Sequence, residues 1–290
     1  MQKIISKTIE YIKTNINHFF IEELLQDDAD TQFKSFVELA FLYNLLSQRQ
    51  VELHHLEFVE HFLEGKLNDP TQQDLLIRLV EDNTHNLPGL LILEEFAQRK
   101  SLNIFKDYLT RIIEIEKIDS QIEKVPFRMI DLKYSISKVG INDNLDSYNN
   151  LFHQTVLGKN LPRFYYTPNA MYSLTHTIFY ISDLGNSYYL DNSPKDYIGL
   201  LTSLIGDRII EKDLDILAEL LLAALFLKID TDITEIIEYS IQFIIENQNK
   251  NGSFPAPIEY QYNTDYEEFR NNYHTTLVCL GVLLCYQDKI

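Results

Sequence analysis

His176 and Asp183 stand seven residues apart in "NAMYSLTHTIFYISDLGN", residues 169–186. On a helix, seven steps of about 100° return to within about 20° of the same face. Tyr172 and Tyr180 flank His176 at i−4 and i+4 on that face. A second stretch, "NYHTTLVCLGVLL" (272–284), puts His274 between Tyr273 and Thr275 at the mouth of an apolar helical pattern. A histidine oriented by a carboxylate suits general acid–base work near neutral pH. Two histidines and a carboxylate also suit zinc or iron. The same residues also fit a structural role, as core histidines bonded to tyrosine hydroxyls or to backbone. The spacing leaves all three readings open. As catalytic candidates it points to His176, Asp183, His274, Tyr180 and Tyr273, with Tyr172 and Thr275 beside them.

Isolated acids recur within otherwise apolar patterns: Glu38 in "FVELAFLY", Glu94 and Glu95 in "LLILEEFA", Asp131 in "RMIDLKYS" and Glu219 in "ILAELLLAAL". Burying a lone carboxylate costs several kcal/mol, so each needs a partner or a wet cavity. A wet central cavity accounts for all of them at once and makes Glu219 and Asp131 substrate-binding candidates. The alternative is that they face solvent or pair with Arg128 and Lys133. "NTDYEEFRNN" (263–272), with Asp265, reads as a loop before the His274 helix, either a substrate-contacting lid or simply solvated. In "VELHHLEFVEH" (51–61), the surrounding glutamates make His54, His55 and His61 part of an exposed amphipathic helix. Serine or cysteine nucleophile motifs and glycine-rich phosphate loops are absent.

The elements that must carry these residues are helical almost throughout. "SFVELAFLYNLLSQ" and "EIIEYSIQFIIENQ" space apolar residues three and four apart, and only 9 Gly and 8 Pro interrupt such patterns in 290 residues. Thr167–Pro168 and Ser193–Pro194 read as helix starts and Gly185 as a stop. Twelve helices are expected, near 2–16, 31–49, 51–66, 88–100, 102–116, 126–138, 145–157, 169–184, 195–210, 213–228, 233–248 and 272–287, with a further one near 71–83. Alternate helices, from 31–49 to 272–287, are the more apolar, and their intervening partners carry charge on one face. Helical hairpins repeated about six times make either an open solenoid or a closed ring of inner and outer helices, and inner helices without a solvent face favour the ring. The expected class is all-α, an (α/α)6-type toroid over residues 1–290 with a central cavity. The more polar first 120 residues could form a distinct lobe.

Hydrophobic residues make up 45% of the chain, and the formal net charge is −18. That charge opposes binding to nucleic acid or to an anionic membrane surface. No apolar run reaches about 18 residues, so no membrane span is expected. Cys279 and Cys285 lie too far apart along one helix to pair. With no disulfide framework and no signal-peptide pattern, a cytoplasmic location is expected.

"NQNKNGSF" (247–254) resembles the repeat junction of the alpha-alpha toroid proteins of the terpenoid cyclase and protein prenyltransferase superfamily, through Gln248, Asn251, Gly252, Ser253 and Phe254. In such a junction glycine permits the turn, the Asn and Ser side chains cap backbone groups, and the aromatic plugs between helices. The stretches around His176 and His274 are also similar to uncharacterised bacterial toroid proteins of natural-product gene clusters. The resemblance implies the scaffold and, loosely, a biosynthetic role. The chain has no Trp, its one Asp-rich stretch, "LQDDAD" (25–30), precedes the second helix, and the Asp-x-Cys and Gly-Trp-Cys zinc patterns are missing. The chemistries of those families therefore do not transfer. Two functions are expected as alternatives. One is a tailoring enzyme, cyclase-like or acid–base, acting on a small molecule or modified peptide, with no cofactor required and zinc or iron at His176 and His274 as an option. The other is a non-catalytic helical-repeat protein that holds a peptide or partner protein.

Overall fold

The computed structural model describes residues 1–20, 29–51, 53–190, 194–256 and 264–288. Every regular element among them is helical. In order they are α1 (Gln2–Thr14), α2 (Ala29–Gln48), α3 (Glu57–Leu67), α4 (Pro70–Asp82), α5 (Leu87–Arg99), α6 (Lys106–Thr110, continued by a π turn Arg111–Ile115), α7 (Pro126–Lys138), α8 (Tyr148–Phe152), α9 (Pro168–Ile181), α10 (Ile198–Glu211), α11 (Leu214–Phe226), α12 (Thr234–Glu246) and α13 (Asp265–Gln287). The additional helix expected near 71–83 is α4. Ser193 and residues 25–28 of the Asp-rich stretch lie outside the described residues.

The boundaries have local causes. Asp69 accepts a hydrogen bond from the Thr71 amide at 2.8 Å, and Pro70 opens α4. Asp213 accepts from the Ile216 amide at 3.2 Å and starts α11. The pattern near 145–157 yields only α8, a helix of little more than one turn capped by Ser147. The stretch 264–272, expected as a loop, is helix instead. Thr264 caps the Glu267 amide at 3.1 Å, so α13 begins at Asp265. Thr264-x-x-Glu267 has the residues of a capping box, a start signal that the acidic, aromatic composition obscured.

Packing follows the apolar pattern. On α11 every side chain from Leu214 to Phe226 is buried except Asp215. Such a helix needs neighbours on all sides, and it packs against α9, α10, α12 and α13. The more apolar alternate helices pack in sequence: α2 on α5, α5 on α7, α7 on α9, α9 on α11, α11 on α13, and α13 back on α2. Where α2 meets α5, a Cβ on Gly89 would lie 2.6 Å from the Phe33 ring, so glycine sets the closeness of that pair. C-terminal ends meet C-terminal ends. Gln48 and Arg49, closing α2, reach the backbone of Asp183 and Leu184 just past α9, each at 3.0 Å, and Lys138, closing α7, reaches the Asp183 carboxylate at 2.9 Å. The helices α2, α7 and α9 therefore run the same way.

The junction after α12 is built as its residues suggest. Gly252 has φ +99°, and a Cβ there would stand 2.2 Å from the Lys7 carbonyl oxygen. The Asn251 side chain accepts from the Ser253 amide at 3.1 Å, and Gln248 donates to the Ile4 carbonyl at 3.0 Å. Phe254 is fully buried, its amide bonded to Thr276 Oγ1 at 2.9 Å.

Candidate functional site

The helices α2, α9, α11 and α13 bring polar residues to one place. Asp215 and Glu219, four apart on α11, share a helical face. His274 on α13 joins three carboxylates from two other helices. Its Nδ1 donates to Glu38 Oε2 of α2 at 2.9 Å, and its Nε2 lies 3.7 Å from Asp215 Oδ1 and 3.6 Å from Glu219 Oε1. His176 Nε2 of α9 lies 3.5 Å from that same Glu219 oxygen. Two imidazoles thus meet on one carboxylate oxygen of a residue only 2% exposed. His274 is 26% exposed and His176 18%, so water reaches the cluster.

Neutral donors hold the carboxylates in place. Thr175 donates to Glu219 Oε2, Tyr172 donates to Asp215 Oδ2, and Thr275 donates to Asp215 Oδ1 at 2.7 Å. Tyr172, Thr175 and His176 are successive polar positions on one side of α9, and Thr275 follows His274 directly. The pieces are therefore ordered by helix geometry and need no loop to settle.

The electrostatics are coupled. Burial alone would lower the His274 pKa, but the charges of Glu38 and Asp215, the contact with Glu219 and the bond to Glu38 overcome it, and the imidazole stays protonated well above its ordinary value of 6.5. Burial would likewise raise Glu38 and Glu219. Instead the His274 charge keeps the Glu38 carboxyl below its ordinary range, and His176 with His274 does the same for Glu219. At neutral pH ionised Glu38 and Glu219 thus face the His274 imidazolium. The Tyr172 hydroxyl is pushed upward by burial and by Asp215, and stays a donor.

An edge from α7 completes the surroundings. Arg128 pairs with Asp131 at 3.2 Å, and its guanidinium lies 5.0 Å over the Phe127 ring, which in turn meets the His176 ring edge-on at 5.8 Å. Tyr180 is buried between the Tyr134 and His176 rings. Burial first, then the Asp131 carboxylate it bonds, push its hydroxyl pKa well above 10.

Several candidates stand elsewhere. Asp183 is not the partner of His176. The helix ends at Ile181, Asp183 turns to φ +47°, and its carboxylate takes bonds from Lys138, Tyr134 and Gln48 at the opposite end of the helices. A shared i, i+7 face requires a helix that runs through both residues, and α9 stops two residues short of Asp183. Asp265 is exposed in the first turn of α13, nine residues and about 13 Å of helix from His274. The Tyr273 ring turns away into an aromatic cluster with Phe19 and Phe269. Glu94 caps the α6 region, accepting from the Ile104 and Phe105 amides at 3.1 and 2.7 Å. Glu95 pairs with Arg99 on its own helix at 2.7 Å.

Two residues of the cluster were not singled out as site residues from sequence. Glu38 was noticed only as an isolated acid, and Asp215 was hidden next to the capping Asp213. The readable signal was Asp215 and Glu219 at i, i+4 on the most apolar helix of the chain. Among the described residues, no group of three or more His, Cys, Asp or Glu is disposed to hold a metal ion. His54, His55 and His61 line a cleft of about 540 Å³ between α1 and the start of α3, with Glu10, Lys13 and Glu57. No helix among the described residues is long and apolar enough to cross a membrane.

The family described as "Domain of unknown function (DUF6895)" matches residues 6–284. No curated protein and no solved structure matches the chain.

Proposed function

The chain belongs to the DUF6895 family, and from the geometry of its acid–imidazole cluster we propose an enzyme that moves protons on a small molecule or a modified peptide, in a cyclase-like step. The observation that carries this reading is the meeting of His176 Nε2 and His274 Nε2 on Glu219 Oε1, at 3.5 and 3.6 Å, with Glu38 orienting His274 from behind. Both separations exceed an ordinary hydrogen bond, which leaves the nitrogens unsaturated toward a substrate. In the proposed step His176 accepts the proton of a nucleophile, the nucleophile bonds to an unsaturated carbon of the same molecule, and the displaced electron pair takes a proton from His274. Glu219 steadies charge on both imidazoles during the exchange.

The scaffold is read as an (α/α)6-type toroid of the kind found in the terpenoid cyclase and prenyltransferase superfamily. It is supported by the unbroken circuit of contacts from α2 through α5, α7, α9, α11 and α13 to α2, and by the helices packed outside it, such as α10 and α12. Contacts of α1 and α2 with α13 support reading residues 1–290 as one domain. A binding role for a peptide or partner protein is the second reading, and the cleft between α1 and α3, which none of the cluster residues line, favours it.

Chromatographic and mass profiling of cells producing the wild-type chain, His176→Ala or His274→Ala tests the catalytic reading. A species that forms with the wild type and is lost with both variants is expected. Identical profiles from all three would reject catalysis at this cluster and favour the binding role.

A further inference from the structure

The charges around the cluster are not evenly distributed. On the α7 side stands Arg128, which pairs with Asp131 through Nη1 alone. Arg128 is 46% exposed, lies over Phe127, and is close enough to Glu219 to feel its charge. On the α2 and α11 side stand Glu38, Asp215 and Glu219, sharing one imidazolium, His274. Lys34 adds only a distant contact to Glu38, at 3.6 Å, from a side chain 60% exposed. One side of the site thus offers an open guanidinium edge and the other an excess of negative charge. The Phe127 and His176 rings form the surface between them. A ligand of one sign would gain at one side and lose at the other. A ligand carrying both signs gains at both.

We propose that the site takes a zwitterionic ligand, an amino acid or a short peptide with both ends free, with its carboxylate on Arg128 and its ammonium on the Asp215–Glu219 face. This rests on the reading of the cluster as the active site and narrows its substrate class. The guanidinium offers a planar fork to a carboxylate, and its outer edge is free of Asp131, which engages only Nη1. The carboxylates of α11 are held in place by Thr175, Thr275 and Tyr172, so they meet an ammonium without rearranging.

Calorimetric titration of the full chain with L-alanyl-L-alanine, its N-acetyl form and its C-terminal amide tests this without requiring turnover. The free dipeptide is expected to bind, and each blocked form to bind at least about tenfold more weakly, as expected for the loss of one charged contact. Arg128→Gln should weaken the free dipeptide to the level of the amide and leave the amide unchanged, while Arg128→Lys restores part of the difference. A thermal melt of each variant separates this from misfolding. The proposal is overturned if blocked and free forms bind equally, if Arg128→Gln weakens all forms alike, or if none binds. It is also overturned if zinc ion binds at His176 and His274 while the dipeptides do not. Dipeptide binding without any product in the cell profiles would instead count against catalysis alone.

Discussion

Two carboxylates that look alike in the sequence do different work. Glu219 sits between two imidazoles, and Asp183 sits in a clasp of Lys138, Tyr134 and Gln48 where three helices end. Spacing alone assigned Asp183 to His176, because a seven-residue interval on an ideal helix is indistinguishable from a shared face. Only the chain's turn to a left-handed φ at Asp183 separates them. The two roles predict opposite phenotypes. Glu219→Gln removes the charge that steadies both imidazoles and should lower product formation by at least about 100-fold, the usual scale of acid–base assistance. Asp183→Asn weakens the clasp, should cost about 1–2 kcal/mol of stability, and should leave product formation unchanged. Paired assays of product and urea midpoint check this. A Glu219→Gln protein of full activity would remove the cluster from the mechanism.

At the scale of elements, sequence periodicity located nearly all the long helices and separated the apolar set from the charged set. The most apolar run, residues 217–229, reads as a helix buried on all sides, and α11 is buried throughout from Leu217 to Phe226. The reason is that a 3.6-residue pattern in a long apolar segment records its neighbours directly. Short elements fared worse. Residues 145–157 and 102–116 carry the pattern but form only α8, which gives way to turns after Phe152, and α6, which a π turn interrupts. The site was half legible for a related reason. His176, His274 and Glu219 stand out as polar residues in apolar helices, whereas the pairing of His274 with Glu38 spans 236 residues and leaves no local trace. The junction before α13 was legible because its residue types serve the turn. Gly252→Ala should destabilise the protein by more than about 1 kcal/mol, since a Cβ at φ +99° would meet the Lys7 carbonyl at 2.2 Å. Unaltered unfolding of that variant would show that the N-terminal helix does not depend on the junction.

At the scale of the whole molecule, the cluster ties α2 and α11 to α13 through charge, in a chain of net charge −18 where an added cation is stabilising. This makes the fold's stability depend on pH in a defined direction. The His274 pKa is raised on folding, so its contribution is fully present below the unfolded value of 6.5 and is lost as pH rises through the folded value. The Glu38 and Glu219 pKa values are lowered on folding, so their contributions hold above 4.5 and are lost as pH falls through their folded values. His274 is thus an imidazolium held by carboxylates of two other helices. Urea midpoints of the wild type and His274→Gln from pH 5 to 10 test it most directly. The wild type should be the more stable by about 2 kcal/mol at pH 6, with the difference shrinking as pH climbs well above 6.5. A difference that stays constant or grows across that range would contradict the claim.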